Sequence, residues 1–261
     1  MISIIIPTLN EEKYLPKLLE CIKKQTFRDF EVIVADNHSK DKTRQIAQEY
    51  GCKVVDGGLP GAGRNNGAKA AKGDYFIFFD ADVAFDPKFI EKSFNEFQKR
   101  YLEITTCLFV PDSKEYTKWF ELYNAYAKTV QYIRPSCSGA FMLMTRRIFE
   151  RVQGFDEELK IAEDQNFVKK AHQISKFRIL ESVKITMSVR RFEKENIIKY
   201  VSRAIRSEMH RSLVGEIKDD TFKYEFGNYK QEEQDFKKQK TKLNELIKKF
   251  KKNKKRKGED K

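Results

Sequence analysis

Ser3-Ile4-Ile5-Ile6-Pro7-Thr8-Leu9-Asn10-Glu11-Glu12 decides how the rest of the chain is read. Three successive isoleucines cannot alternate between core and solvent, so residues 3–7 predict a strand covered on both faces. The polar run after it leads into a helix over residues 12–25, where Tyr14, Leu15, Leu18, Leu19 and Ile22 recur at spacings of three and four. The same unit then repeats. Residues 31–35 form a second strand, followed by a helix over 42–50 with Ser39 as its N-cap. A short third strand covers 53–55, then a glycine-rich stretch over 56–63 opens a small-residue helix to Ala71. Residues 75–79 form a fourth strand, and Pro87 opens a helix ending near Arg100. Strands that alternate with helices imply right-handed crossovers, hence a Rossmann-like, doubly wound α/β domain with a mostly parallel sheet.

Beyond residue 104 the pattern is less regular. Strands are expected over 104–110, 138–144, 177–180 and 183–189. Helices are expected over 114–133, 146–152, 164–172 and 195–214, the first of them rich in aromatics. One domain is therefore expected over 1–215, with a regular half (1–110) and a less regular half (111–215). A polar, lysine-rich tail, helical or disordered, follows over 216–261.

Composition sets the outer limits. The chain has 261 residues, 40% of them hydrophobic and 13% aromatic, enough for one sizeable core. Its net charge of +13 is uneven: residues 236–261 hold 13 Lys and Arg against 3 acids, which leaves about +3 for the rest. That tail has only Phe236 and Phe250 for base stacking, so nucleic acid is not the expected partner; a solvated tail is the first reading and peripheral contact with an anionic membrane the second. No basic leader precedes the first strand, Pro7 interrupts its apolar run, and no stretch nears the roughly 18 apolar residues of a membrane span. A cytoplasmic location is expected, extending to the inner membrane face through the tail. Cys21, Cys52, Cys107 and Cys137 lie far apart and read as small buried hydrophobes rather than zinc ligands or disulfide partners. His38, His172 and His210 show no metal-ligand spacing.

In an open parallel sheet, ligands bind beyond the carboxyl ends of the strands. The polar and acidic residues collect there: Thr8, Asn10 and Glu11 after the first strand, Asp36 and Asn37 after the second, Asp80-Ala81-Asp82 after the fourth. A lone D-x-D arises readily by chance. At the end of a buried strand, however, two carboxylates on a tight turn suit a hard divalent cation, Mn2+ or Mg2+, shared with phosphate oxygens. Asp164 opens a helix after Gly154-Phe155-Asp156, where the helix dipole would keep it ionised, as a general base must be.

Five blocks together resemble one family. They are MISIIIPTLNEEKYLPKLLECI (1–22), FEVIVADNHSKDKT (30–43), GAGRNNGAKAAKGDYFIFFDAD (61–82), SGAFMLMTRRIFERVQGFDEEL (138–159) and AEDQNF (162–167). In this order they resemble the inverting GT-A-fold glycosyltransferases of family 2, over residues 1 to about 170. The resemblance implies transfer of a sugar from a nucleotide diphosphate donor to the hydroxyl of a glycan or lipid-linked acceptor. It implies a nucleotide-binding half over 1–110 and an acceptor half over 111–215, with nucleotide binding by Pro7, Thr8, Asn10, Glu11, Asp36 and Arg64, Asp36 lying near the base. Asp80 would lie by the ribose and near the metal, Asp82 would bind the metal, and Asp164 would be the catalytic base. Ser188-Val189-Arg190-Arg191 extends the resemblance, and its arginines would add positive charge at the leaving diphosphate. One departure stands out: the family's D-D-G-S after strand two reads Asp36-Asn37-His38-Ser39 here.

Two other readings stay open. A nucleotidyltransferase that makes sugar nucleotides shares the α/β layout and the paired acids, although it would carry a glycine-rich, arginine-bearing loop directly after strand one. A non-catalytic nucleotide-sugar-binding protein would use the same rim without turnover.

Overall fold

A computed structural model describes residues 1–194 and 197–218, all within one unit, Met1–Gly227. Eight strands form a single sheet in the order β3-β2-β1-β4-β7-β6-β8-β5. On one side, β1 (Ile2–Thr8) is the centre of a parallel block, flanked by β2 (Phe30–Asp36) and β4 (Tyr75–Phe79), with β3 (Lys53–Asp56) outside β2. Beyond β4 the direction becomes mixed: β7 (Phe141–Thr145) is antiparallel to both β4 and β6 (Ile104–Pro111), and β6 runs parallel to β8 (Phe177–Met187). A two-residue strand, β5 (Val83–Ala84), closes the order against the end of β8.

The apolar runs are explained by cores on both faces. Ile4, Ile6, Ile77 and Phe79 point to one, where α1 (Leu15–Lys23), α2 (Thr43–Glu49) and α4 (Phe89–Lys99) bring Leu15, Leu18, Ala47, Phe89 and Phe97. Ile5, Phe76 and Phe78 point to the other, covered by α3 (Pro60–Ala70), α6 (Arg146–Arg151) and α7 (Glu163–His172) through Ala68, Ile148 and Phe167. With period 2 along a strand, two complete cores require apolar residues at every position. α3 lies closest to the sheet: a Cβ on Gly67 would come within 2.3 Å of Ile5 Cγ2, and one on Gly63 within 3.2 Å of Pro7 Cβ.

Several local readings are corrected. Ser39 does not cap α2; Lys42 stands at the N-cap without a side-chain bond, because Ser39 is engaged by Asp36 and Asn10. The helix expected over 114–133 is a 3-10 turn (Lys114–Tyr116) followed by α5 (Thr117–Val130). The two strands read over 177–189 are one, β8, which bulges at residues 181–183: Cys107 pairs with Leu180 and the next β6 residue, Leu108, with Lys184. The helix expected over 195–214 is α9 (Ile197–Leu213), and a short helix that was not read, α8 (Arg190–Lys194), comes before it. Residues 216–218, read as the start of the tail, pack on the body: Ile217 is buried, Glu216 binds Arg211 and lies 3.9 Å from Lys169 of α7, and Lys218 pairs with Glu158. The lysine-rich stretch read over 236–261 lies outside the described residues. Among the described residues no helix is long and apolar enough to cross a membrane.

Candidate active site

The parallel register fixes where the chemistry gathers. Thr8 pairs with Asp36 and Asp36 with Asp56, so β1, β2 and β3 finish at the same rim, and β4 delivers Asp80 beside them. Three polar networks organise this rim.

The first holds the loops after β1 and β2. Asp36 is fully buried and accepts hydrogen bonds from Thr8 Oγ1 (3.2 Å), Ser39 N (3.0 Å) and the Ser39 hydroxyl, with Arg44 Nη1 at 3.4 Å. Ser39 Oγ accepts from Asn10 N, while Asn10 Oδ1 accepts from Lys40 N at 2.9 Å. Asn10 and His38 have φ of 56° and 51°. Asn and His tolerate this left-handed region better than most residues, which lets His38 stand where the D-D-G-S pattern has glycine. Pro7 stays in the strand as the contact for Gly63 of α3.

The second network is built on Arg190. Its Nη1 and Nη2 donate to the two oxygens of Glu11 at 2.9 and 2.8 Å, its Nε lies 2.8 Å from Asp82 Oδ2, and its guanidinium sits 4.2 Å from the Tyr14 ring centroid. Burial raises the pKa of Glu11 and of Asp82 even though Arg190 pulls both down; Asp80 adds repulsion to each. One guanidinium shared by two buried carboxylates leaves an excess negative charge. Glu11 thus faces a protein cation rather than open space.

The third network surrounds Arg64, buried on the sheet-facing side of α3. Nη2 donates to Asp80 Oδ1 (2.9 Å) and Nη1 to Glu163 Oε1 (2.5 Å), and Phe155 lies 5.4 Å from the guanidinium carbon. Burial works against the charged form of Arg64, but Glu163, Asp80 and Asp164 outweigh it and raise its pKa further. Next to it, Asn65 clamps the loop that leads to α7. Asn65 Nδ2 donates to Phe155 O (2.9 Å) and Glu157 Oε1 (2.8 Å), and Phe155 N donates to Asn65 Oδ1 (2.8 Å).

Asp164 meets this third network in the first turn of α7. Its Oδ2 accepts from Gly139 N at 2.7 Å and its Oδ1 from Gln165 N at 2.7 Å, while the Gln165 amide holds the Cys137 carbonyl. The dipole was expected to keep Asp164 ionised. Burial wins, with help from the charge of Glu163, and the pKa is pushed up to about 7 although Arg64 opposes it. A carboxylate poised near neutrality can take a proton at ordinary pH. Gly139 makes the arrangement sterically feasible: a Cβ there would lie 2.2 Å from Arg64 Nη2 and 3.1 Å from Asp80 Oδ1.

Among the described residues, no three His, Cys, Asp or Glu side chains converge as a ready cation cage. The donor chemistry nevertheless suits Mg2+ or Mn2+, which take one or two carboxylates and complete their shell with phosphate oxygens and water. Six acids, Glu11, Asp36, Asp80, Asp82, Glu163 and Asp164, face Arg44, Arg64 and Arg190 in these networks. A diphosphate would meet net repulsion at this rim unless a cation came with it.

Sequence reasoning named Pro7, Thr8, Asn10, Glu11, Asp36, Arg64, Asp80, Asp82 and Asp164, and the fold gathers all nine around the carboxyl ends of β1, β2 and β4 and the start of α7. It missed Asn65, Gly139 and Glu163 as site residues, and the role of Arg190 as partner of Glu11. A charged and an amide residue adjacent on a sheet-facing helix, Arg64-Asn65, was the available signal for the first. Nothing local marks Gly139; Glu163 and Arg190 lie in segments quoted for the resemblance, but their partners, 99 and 179 positions away, are not legible there.

The family model for glycosyl transferase family 2 matches residues 3–153. The chain is 28% identical over 206 residues to the uncharacterized glycosyltransferase EpsJ of Bacillus subtilis, covering 71% of this chain and 58% of EpsJ. It is 30% identical over 189 residues to the poly(ribitol-phosphate) beta-N-acetylglucosaminyltransferase TarS of Staphylococcus aureus, covering 65% of this chain and 32% of TarS. This chain therefore spans less than two thirds of either relative. The crystal structure of S. aureus TarS 1-349 superposes with a TM-score of 0.60 at 26% identity, over 80% of this chain and 65% of that one. The mannosyltransferase PcManGT from Pyrobaculum calidifontis, solved with GDP-Man and Mn2+, shares the fold with a TM-score of 0.63 at 19% identity, over 78% of this chain and 64% of that one.

Proposed function

The chain belongs to glycosyl transferase family 2, and on that premise we propose that it moves a sugar from a nucleoside diphosphate donor to an acceptor hydroxyl, inverting the anomeric carbon. The observation that carries this reading is Asp164, a carboxylate with its pKa raised to about 7, fixed by the Gly139 amide beside the Arg64–Asp80 pair. S. aureus TarS has been solved with UDP-GlcNAc and PcManGT with GDP-Man, which supports a sugar nucleotide as the donor class.

Asp82 and Asp80 would hold Mn2+ or Mg2+, which when bound supplies Lewis-acid stabilisation of the leaving diphosphate. The chain's own residues do the rest. The Asp36–Ser39–Asn10 network shapes the nucleotide end of the rim; Asp36, being fully buried, acts through the loop it holds. Arg64 fixes Asp80 and Glu163 relative to each other, and with them the first turn of α7. Asp164 accepts the proton of the acceptor hydroxyl as its oxygen bonds to the anomeric carbon; the bond to the diphosphate oxygen breaks on the opposite face. Holding the two reactants in line supplies much of the rate.

The test is a thermal-shift panel of nucleoside diphosphates and sugar nucleotides, each with and without Mn2+ or Mg2+, followed by product analysis. A ligand that binds only the folded state raises its melting temperature. The expected result is stabilisation by one nucleotide class only when cation is present, and release of free nucleoside diphosphate. Pyrophosphate exchange would assign the chain to sugar-nucleotide synthesis instead, and binding without turnover on any acceptor would make it a sensor.

A further inference from the structure

Fourteen large hydrophobic side chains are exposed among the described residues, and nine of them lie in two short segments. Trp119, Leu122, Tyr126, Tyr132 and Ile133 are on and just after α5; Ile205, Met209, Leu213 and Val214 are on and just after α9. The segments are neighbours. Arg134 pairs with Glu208, Phe192 touches both Phe120 of α5 and Tyr200 of α9, and Trp119 and Ile197 line one cleft. At 100° per residue, Ile205, Met209 and Leu213 fall within one 80° sector of α9. Arg206, Lys199 and Arg203 fall in the sector beside it, and Ser207 and Arg211 are buried on the opposite side. Over residues 197–214 there are four Lys and Arg against one acid, Glu208.

An apolar strip edged by basic side chains is the pattern of a helix lying in a membrane interface. We infer that the outer face of α9, continued by Trp119 and Leu122 of α5, docks on an anionic lipid surface. Charge favours this occupant: anionic headgroups complement the basic edge, whereas residues 236–261, or a second copy presenting the same edge, would bring positive charge to it. Residues 219–235, six acids against two lysines, are the competing occupant, and failure of the full chain to bind the phosphatidylglycerol vesicles is the outcome that favours them. The inference does not depend on the transferase reading, since lipid binding is measured without substrate.

The chain contains one tryptophan, Trp119, 41% exposed and inside the patch, so its emission reports docking. The experiment uses the full chain with vesicles of phosphatidylcholine alone or with phosphatidylglycerol, at low salt and at about 0.5 M salt, where charge attraction is largely screened. Expected are sedimentation with the phosphatidylglycerol vesicles only, a blue shift of Trp119 emission, and a bound fraction that survives high salt. The variant I205S/M209S/L213S alters exposed side chains only and should lose that salt-resistant binding by roughly tenfold, whereas I174S, outside the patch, should not. Absence of binding, or equal binding by the triple variant without change in emission, would overturn the inference. So would a parent dimer that this variant splits into monomers in equilibrium sedimentation while vesicle binding stays unchanged.

Discussion

Asp164, the proposed base, ties stability to pH. In the folded chain its pKa is raised from 3.8 to about 7, so the native state holds this proton more tightly than the unfolded chain does. Between pH 3.8 and about 7 its contribution therefore falls as pH rises, and above about 7 the full cost of the buried charge is in place. Asp164→Asn should then be more stable than the parent at pH 8, by up to about 4 kcal/mol, with the difference vanishing towards pH 4; calorimetry at the two pH values checks it. The same variant should lose roughly 100- to 10,000-fold in turnover, the usual worth of a general base, while donor affinity holds within a factor of two. In the parent, kcat/KM should rise with pH through about 7. Gly139→Ala acts from the other side of the contact. Its Cβ must displace Arg64 or Asp80, with an expected stability cost of about 1–3 kcal/mol and a shifted acid limb of the pH profile as Asp164 loses its Gly139 contact. An unchanged profile would remove Gly139 from the positioning of the base.

At the scale of elements, what could be read in advance followed from periodicity. Unbroken apolar runs marked β1, β2 and β4, and the placement of Thr8, Asp36, Asp80 and Asp82 at the ends of these strands was legible with them. β5 was not, since two residues carry no pattern, and neither was the five-residue α8. Gly139 carries no local sign because its constraint comes from Arg64, 75 positions earlier. The small-residue character of α3 was visible, but its cause appears only in the packing on Ile5. Gly67→Ala gains helix propensity of about 1 kcal/mol yet must displace Ile5, so a net loss of about 1–2 kcal/mol is expected. Ile5→Ala removes the Cγ2 that would clash. In a denaturation double-mutant cycle the two changes should couple by at least about 0.5 kcal/mol, the double variant being more stable than the sum of the singles indicates.

Across the whole molecule, the rim is assembled from distant parts of the chain. Glu11 and Arg190 are 179 positions apart, and Arg64 and Glu163 are 99. Arg190→Gln strips a buried cation from two carboxylates, an expected loss of about 3–5 kcal/mol in chemical denaturation. Lowering the pH should restore part of it, because Glu11 and Asp82 can then take up protons. The matched family region ends at residue 153, before either Asp164 or Arg190.

The Glu11–Arg190 closure also sets a temporal order. A chain emerging from the ribosome exposes its early acids long before the arginine that neutralises two of them has been synthesised. A copy that stops before Arg190 carries Glu11 and Asp82 without the guanidinium that offsets them, so this network closes only with the polypeptide's last third.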